Sequence, residues 1–335
     1  MKNFTYFRPA TFEQAVGLLE ANYGNTELLA GGTDLHALQK NYVAQPTRVV
    51  SITGIKGVAG IEEINAGGQR SFRINAGAKL ADIASHAALR QNFPALTAAA
   101  AEIAGPQIRN MGTLGGSLCQ RNRCWYFRDE HVNCRLKSGQ TCFAIDGENQ
   151  YHAIFTQGHP CVISSPSTLA TGLIALGATA EIVGPNGRRT LQMSQFYRSP
   201  ANNNEREHNL AANELLAWVS IPVRGMVNAS YEVRQRLVTY WPLVQCSVAW
   251  AVNGGKTVDA KVVLSQVSPA PHVAEAAARA INGQPINETT ATAAGRAAIE
   301  GAKPLARNAY KVKLVEIAVK RAVMIAGNLN RYWEA

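Results

Sequence analysis

The chain has 335 residues, of which 47% are hydrophobic and 17% are charged. This composition excludes disorder as the main state, and the length suits two or three compact domains. Lys and Arg number 33 against 23 for Asp and Glu, which gives a net charge of +10. The basic residues are spread along the chain, so the charge favours an anionic cofactor or acidic partner subunits over nucleic acid.

The sequence predicts a protein that neither spans a membrane nor carries its own export signal. No apolar stretch approaches the roughly 20 residues that cross a bilayer. The chain starts with Met1-Lys2-Asn3-Phe4 and lacks an apolar signal segment there. We therefore expect a cytoplasmic location, with the periplasm as the alternative if a partner subunit carries the export signal.

The first 55 or so residues predict a small α/β unit, in which a capping box at Thr11 begins a helix. Alternation and helical spacing of apolar residues predict the segments that follow. They are strands at 27–30, 49–52 and 72–78, helices at 80–90 and 94–104, and a β/α segment at 161–184. The polar, Asn-rich stretch 199–208 predicts an exposed loop.

The pattern changes after residue 222, where we place a domain boundary near 222–228. An antiparallel meander of three strands is predicted at 231–236, 244–252 and 258–267. From residue 272 onward the chain is Ala-rich and predicted to be helical. The sequence therefore predicts a separate C-terminal α+β domain.

Two glycine-containing loops are candidates for binding an anion. Gly31-Gly32 follows a predicted strand, and a second small-residue loop spans residues 112–117. Paired glycines let the backbone turn its N–H groups toward a bound anion. Neither loop matches the Rossmann or P-loop pattern, and each alone could be a tight turn. Two such loops in one chain favour a large dinucleotide held by backbone groups.

Five of the six cysteines fall within 43 residues, namely Cys119, Cys124, Cys134, Cys142 and Cys161. Clustering of this kind indicates metal or redox chemistry more than disulfides. No C-x-x-C pair of the kind typical of structural zinc sites occurs. Long, uneven spacings are compatible with an iron–sulfur cluster, so spacing alone leaves an iron–sulfur cluster, zinc and unliganded thiols open.

These segments together resemble the flavoprotein subunit of the molybdenum hydroxylase (xanthine dehydrogenase) family. Residues 29–35 and 108–116 are similar to its two FAD-binding stretches. Residues 118–127, continued through Cys161, resemble the branch with an inserted [4Fe-4S] cluster, which includes 4-hydroxybenzoyl-CoA reductase and the periplasmic aldehyde oxidoreductase. The resemblance covers essentially the whole chain.

The resemblance implies an α+β fold of three parts. Residues 1–57 and 58–224 would form the two subdomains of a vanillyl-alcohol-oxidase-like (PCMH-type) FAD-binding domain, with the iron–sulfur insertion at about 119–161. Residues 225–335 would form a C-terminal α+β domain with a three-stranded antiparallel sheet and a helix bundle.

The resemblance also implies which residues hold the cofactors. FAD would be held by Leu28, Leu29, Ala30, Gly31, Gly32, Thr33, Asp34, Leu35, Thr113, Gly116, Ser117, Gln120 and Thr168, of which Thr168 replaces an acidic residue of the relatives. The cluster ligands would be Cys124, Cys134, Cys142 and Cys161, leaving Cys119 and Cys246 free. No catalytic residue is expected in this chain.

The implied function is that of an FAD-containing electron-transfer subunit in a heterotrimeric oxidoreductase acting on aldehydes, xanthine or aromatic compounds. A molybdopterin-binding large subunit and a [2Fe-2S] small subunit would deliver electrons, and FAD would pass them to an external acceptor. The alternatives are a zinc- or cluster-stapled assembly subunit without flavin turnover and a self-contained flavin oxidase. The cluster is expected to be structural, with an electron relay as the alternative.

Overall fold

The structure is a computed structural model that describes residues 1–236 and 240–334. Residues 237–239 and 335, inside the predicted C-terminal domain, lie outside the described residues. The strands are β1 (Thr5–Phe7), β2 (Thr26–Leu29), β3 (Arg48–Ser51), β4 (Ile61–Ala66), β5 (Gln69–Asn75), β6 (Thr179–Gly184), β7 (Gly187–Gln192), β8 (Leu215–Pro222), β9 (Val227–Val233), β10 (Val244–Asn253), β11 (Lys256–Ser265) and β12 (His272–Val273).

The α-helices are mostly short, and the longest of them, α13, is the last in sequence order. They are α1 (Phe12–Gly17), α2 (Leu35–Lys40), α3 (Leu80–Ser85), α4 (Ala87–Asn92), α5 (Pro94–Glu102), α6 (Pro106–Met111), α7 (Leu114–Leu118), α8 (Trp125–Arg128), α9 (Thr168–Ala175), α10 (Met193–Phe196), α11 (Glu275–Ile281), α12 (Glu288–Ala297) and α13 (Tyr310–Ala326). Among the described residues, no helix is long and apolar enough to cross a membrane.

The N-terminal unit is a three-stranded parallel sheet in the order β1-β3-β2. Thr11 caps α1, since its Oγ1 accepts a hydrogen bond from the Gln14 amide at 3.2 Å. Phe12 of this helix and Val50 of β3 are buried in one hydrophobic cluster with Val183 and Leu215 of the second unit. The first glycine loop follows β2 directly, so the sheet fixes where that loop begins.

The second unit is a five-stranded sheet in the order β4-β5-β8-β6-β7, antiparallel at each pairing. In β5 the alternation of the sequence buries Phe72 and Ile74 on the face covered by helices. Helices α3, α5 and α9 close this core, and α7 carries the second glycine loop against β5. The sheet thereby sets the second loop beside the first.

The C-terminal unit is a four-stranded antiparallel sheet in the order β12-β11-β10-β9, where the sequence predicts three strands. The additional strand, β12, has two residues, too few for an alternating pattern to reveal. Helix α13 packs Val315, Val319 and Ala322 against this sheet.

A buried lysine on α13 joins the C-terminal unit to residues 119–161, which we call the cysteine segment. The Nζ of Lys311 donates to the carbonyl oxygens of Tyr151 (3.0 Å), His152 (3.1 Å) and Gln266 (2.7 Å). Burial lowers the pKa of Lys311 to about 7. The three hydrogen bonds offset part of that desolvation cost and fix residues 151–152.

We expect Lys311→Met to lower the free energy of unfolding by about 2 kcal/mol, because it removes three hydrogen bonds and leaves the buried carbonyl of Gln266 without a donor. Urea unfolding at pH 6, where the Lys311 ammonium carries all three N–H donors, measures this loss. Lys313→Met is the matched control, since the Lys313 side chain is 68% exposed and pairs only with Glu316; about 0.5 kcal/mol or less is expected there. Equal losses in the two variants would contradict a bridging role for Lys311.

Candidate functional site

The first glycine loop lies backbone-to-backbone against the segment that precedes the second loop. Gly32 has φ +74°, a conformation that favours glycine, and a Cβ at Gly31 would lie 2.0 Å from the carbonyl oxygen of Met111. Glycine is therefore required at position 31 for the two loops to approach each other this closely, and at position 32 for the positive φ of the turn.

The second loop is held in place by a helix cap and by a hydrogen bond to Ala76, the residue that follows β5. Thr113 Oγ1 accepts from the Gly116 amide at 3.1 Å and so caps α7. The Gly115 amide donates to the Ala76 carbonyl at 2.8 Å, and a Cβ at Gly115 would lie 3.0 Å from the Ala76 Cβ. The absence of side chains here lets α7 sit directly on the end of the sheet.

A cleft with about 1150 Å³ of empty space, part of it open to solvent, lies between the two loops. Eleven of the thirteen predicted FAD contacts line it: Leu28, Leu29, Ala30, Gly31, Gly32, Thr33, Asp34, Leu35, Thr113, Gly116 and Gln120. Ser117 is buried beside the cleft, and Thr168 is buried at the first turn of α9; neither lines it. FAD contact by these individual residues stays a prediction.

The donors of the first loop suit an anionic ligand. Within the part of the chain that the structure describes, the amides of Gly32, Thr33 and Asp34 donate to no backbone or side-chain acceptor. Successive free N–H groups in a turn form an anion-binding concavity. The residues present therefore fit the diphosphate of a dinucleotide such as FAD.

The side chain of Asp34 turns away from such an anion and toward the cysteine segment. Its carboxylate accepts hydrogen bonds from the Arg121 amide at 2.9 Å and from Arg128 Nη2 at 2.7 Å. Arg123 Nη1 pairs with the same carboxylate at 2.9 Å. Only the backbone amide of Asp34 is left for the predicted cofactor contact.

Sequence patterns did not identify a second group of cleft residues. The stretch 199–208 is predicted to be an exposed loop, and this prediction is wrong for its last three residues, since Arg206, Glu207 and His208 are buried. Arg206 stacks on Tyr23, with 4.1 Å between the guanidinium carbon and the ring centroid, and Arg206 and His208 line the cleft. Their partners lie far away in sequence, so no local pattern could reveal them.

The four predicted ligand thiols line one cavity with about 280 Å³ of empty space. Cys124 and Cys134 precede short helical turns, while Cys142 and Cys161 lie in loops. A hydrogen bond from Cys161 to the Cys142 sulfur lowers the pKa of Cys142 to about 6, and burial raises the pKa of Cys124 to about 12. His152 Nε2 lies 3.2 Å from Cys124 Sγ.

The other two cysteines lie apart from that cavity. Cys119 lines the cleft, where burial raises the pKa of its thiol to about 12, and Cys246 is buried within β10. Across residues 1–236 and 240–334, no group of three or more His, Cys, Asp or Glu side chains is placed to hold a single metal ion. The four thiols therefore line one cavity without surrounding a single metal position.

A second cavity, with about 700 Å³ of empty space, lies on the other side of Cys124 and His152. Trp125, Tyr151 and Trp241 contribute its aromatic walls. Because Cys124 and His152 line both cavities, they form the partition between the thiol cavity and this aromatic one.

Comparisons with known proteins match this chain to two protein families and to several relatives. A family profile described as the FAD binding domain in molybdopterin dehydrogenase matches residues 2–224, and one described as the CO dehydrogenase flavoprotein C-terminal domain matches residues 229–326. The chain is 30% identical over 321 residues to the aldehyde oxidoreductase FAD-binding subunit PaoB of Escherichia coli, covering 94% of this chain and 96% of that protein. It is 26% identical to the carbon monoxide dehydrogenase medium chain of Hydrogenophaga pseudoflava, with 96% of each covered.

Solved structures show the same fold. A carbon monoxide dehydrogenase from Hydrogenophaga pseudoflava that lacks the Mo-pyranopterin moiety of its cofactor aligns with a TM-score of 0.75 at 26% identity, covering 97% of both chains. Quinoline 2-oxidoreductase from Pseudomonas putida aligns with a TM-score of 0.75 at 22% identity, covering 98% of this chain and 99% of that one. The predicted fold class is confirmed, and the chain belongs to the FAD-binding medium subunits of the molybdenum hydroxylase family.

Proposed function

We propose that this chain binds FAD in the cleft and passes electrons through it within a molybdenum hydroxylase complex. The observation that carries the proposal is the cleft between two glycine loops, with three free amides at residues 32–34. Bound FAD would supply the redox chemistry. The chain's own residues would hold the diphosphate through backbone donors and keep water from the buried part of the cofactor.

The partners in this proposal are a molybdopterin-binding large subunit and a [2Fe-2S] small subunit. Support comes from the relatives, which are named as medium chains or FAD-binding subunits and as part of a dehydrogenase complex. The net charge of +10 favours acidic partner surfaces. The organic substrate would bind in the large subunit, in the class of aldehydes, xanthine or aromatic compounds.

We further propose that Cys124, Cys134, Cys142 and Cys161 ligate a [4Fe-4S] cluster. Support comes from the shared cavity of these four thiols, with Tyr126 and Phe127 in its walls. None of the four thiols belongs to a C-x-x-C pair of the kind typical of structural zinc sites, and their long, uneven spacings favour a cluster over zinc.

We expect the chain, co-expressed with its partner subunits and purified anaerobically, to carry one FAD and about four iron atoms of its own. Flavin absorption and acid extraction measure FAD, and iron and acid-labile sulfide analysis after subunit separation measures the cluster. A chain that contains no flavin but still co-purifies with its partners would support a zinc- or cluster-stapled assembly subunit without flavin turnover. One zinc ion in place of iron and sulfide would contradict the cluster alone.

A further inference from the structure

We propose that Arg121, in the cysteine segment, contacts the anionic part of the bound FAD, and that the buried carboxylate of Glu207 positions it. The inference rests on the proposed binding of FAD in the cleft. It adds a cationic side-chain contact to a site whose predicted donors are backbone amides and uncharged side chains. It also extends the part of the flavin site that the insertion supplies from Gln120 to Arg121.

Arg121 lines the cleft and is held from three directions. Its amide donates to Asp34 Oδ2 at 2.9 Å, its Nε donates to Glu207 Oε2 at 2.8 Å, and its guanidinium carbon lies 4.6 Å from the Phe127 ring centroid. Neither of its two terminal nitrogens makes a hydrogen bond among the described residues, and Nη2 is also buried. A buried guanidinium N–H left without an acceptor costs free energy, which an anionic ligand in the cleft would recover.

Glu207 has the geometry of a positioning residue. Its second oxygen, Oε1, accepts from the Asn122 amide at 3.0 Å and from Asn122 Nδ2 at 2.7 Å. Burial alone would raise the pKa of Glu207, but the charge of Arg121 and the Asn122 hydrogen bonds hold that pKa below its ordinary value. The carboxylate is therefore ionised at neutral pH. Both of its oxygens accept hydrogen bonds from residues 121–122, and this fixes the orientation of the Arg121 side chain.

The charges around the cleft leave room for an anion. Four arginines at positions 121, 123, 128 and 206 are paired with three carboxylates, those of Glu27, Asp34 and Glu207. Arg121 and Arg206 line the cleft, while Arg123 and Arg128 share Asp34 next to it, so one positive charge in this group is not balanced by a carboxylate. A diphosphate beside the free amides at 32–34 would balance it.

The test measures FAD affinity of the assembled complex after the flavin has been removed and titrated back. We expect Arg121→Gln to raise the Kd for FAD by about 10- to 100-fold, the range for losing a charge-assisted hydrogen bond. We also expect a weaker dependence of Kd on salt concentration, and partial recovery of affinity in Arg121→Lys. Arg307→Gln is the control, because Arg307 pairs with Glu148 of the same insertion but at the surface.

Glu207→Gln should raise the Kd by about 3- to 10-fold. Most of that effect should vanish in the Arg121→Gln background, because a positioning residue acts only through the group it positions. Additive effects of the two substitutions would overturn the positioning role. Iron content, measured in every variant, should stay at the wild-type level, which separates a lost cofactor contact from a collapsed insertion.

The outcomes distinguish the two proposals. If wild-type complex retains no FAD, the proposed function fails and the role of Arg121 fails with it. If wild type binds FAD and Arg121→Gln binds it within twofold of Arg307→Gln, only the role of Arg121 is overturned. If Arg121→Gln yields no soluble complex, Glu207→Gln decides: a threefold or greater rise in Kd at unchanged iron content supports the inference, and an unchanged Kd overturns it.

Discussion

Gly32→Val is expected to abolish FAD retention. Gly32 has φ +74°, and its Cβ would lie 2.5 Å from the imidazole of His36. A β-branched side chain at positive φ is strained, and here it would also occupy the cleft. The loop would have to change its backbone conformation, which would turn the free amides at 32–34 away from the diphosphate. Flavin content after purification measures the loss.

The matched control is Gly57→Val. Gly57 has φ +76°, almost the same backbone conformation, but no atom lies within 4 Å of its ideal Cβ. Both variants therefore carry the same strain, on the order of 1–2 kcal/mol, and only Gly32→Val changes the cleft. Full FAD occupancy in Gly32→Val, or equal flavin loss in both variants, would remove the claim that this loop binds the cofactor.

Local features of the site could be predicted from the sequence because they depend on few neighbouring residues. Gly31-Gly32 after a strand and the capped turn at Thr113 are such features, and the structure brings both loops to one cleft. The same holds for the clustering of Cys124 through Cys161. In each case the residue types specify their own backbone geometry or chemistry within a short segment.

Features that depend on distant partners could not be predicted in this way. Glu207 lies in a polar, Asn-rich stretch. Its carboxylate can be buried because Arg121 balances its charge and Asn122 donates two further hydrogen bonds to it, and both residues lie some 85 positions earlier in the chain. Asp34 gives the opposite case: the resemblance identifies the residue, but its side chain is committed to Arg123 and Arg128. The direction of a side chain depends on the assembled fold, which local patterns do not contain.

The second large effect concerns the thiol cavity, where we expect Cys134→Ser to remove the cluster and, with it, FAD. Cys134 and Cys161 belong to a small apolar cluster with Leu38, Phe127, Leu136 and Ile163. Residues 129–148 contain only one short 3₁₀ turn, Arg135–Lys137, so little regular structure holds this segment. Metal–thiolate ligation can supply the folding free energy that so small a core does not.

We expect loss of the cluster to weaken FAD binding, because residues 121–128 connect the thiol cavity to the flavin site. This segment carries Cys124 and is bound to Asp34 and Glu207, so loosening one end frees Arg121 at the other. We expect Cys134→Ser to lose its iron and most of its FAD in the assembled complex. Cys119→Ser is the control: Cys119 lies outside the thiol cavity, so iron should stay at the wild-type level.

If Cys134→Ser loses its iron but keeps its FAD, the cluster acts as an electron relay and not as a structural element. Among the residues that the structure describes, Cys124 and His152 line both the thiol cavity and the aromatic cavity, and a relay would pass electrons across this partition. A relay predicts that Cys134→Ser keeps FAD and reduces small dyes at the wild-type rate, yet fails with a protein acceptor. A structural cluster predicts that both activities fall together with flavin content, because the segment that holds Arg121 has lost its anchor.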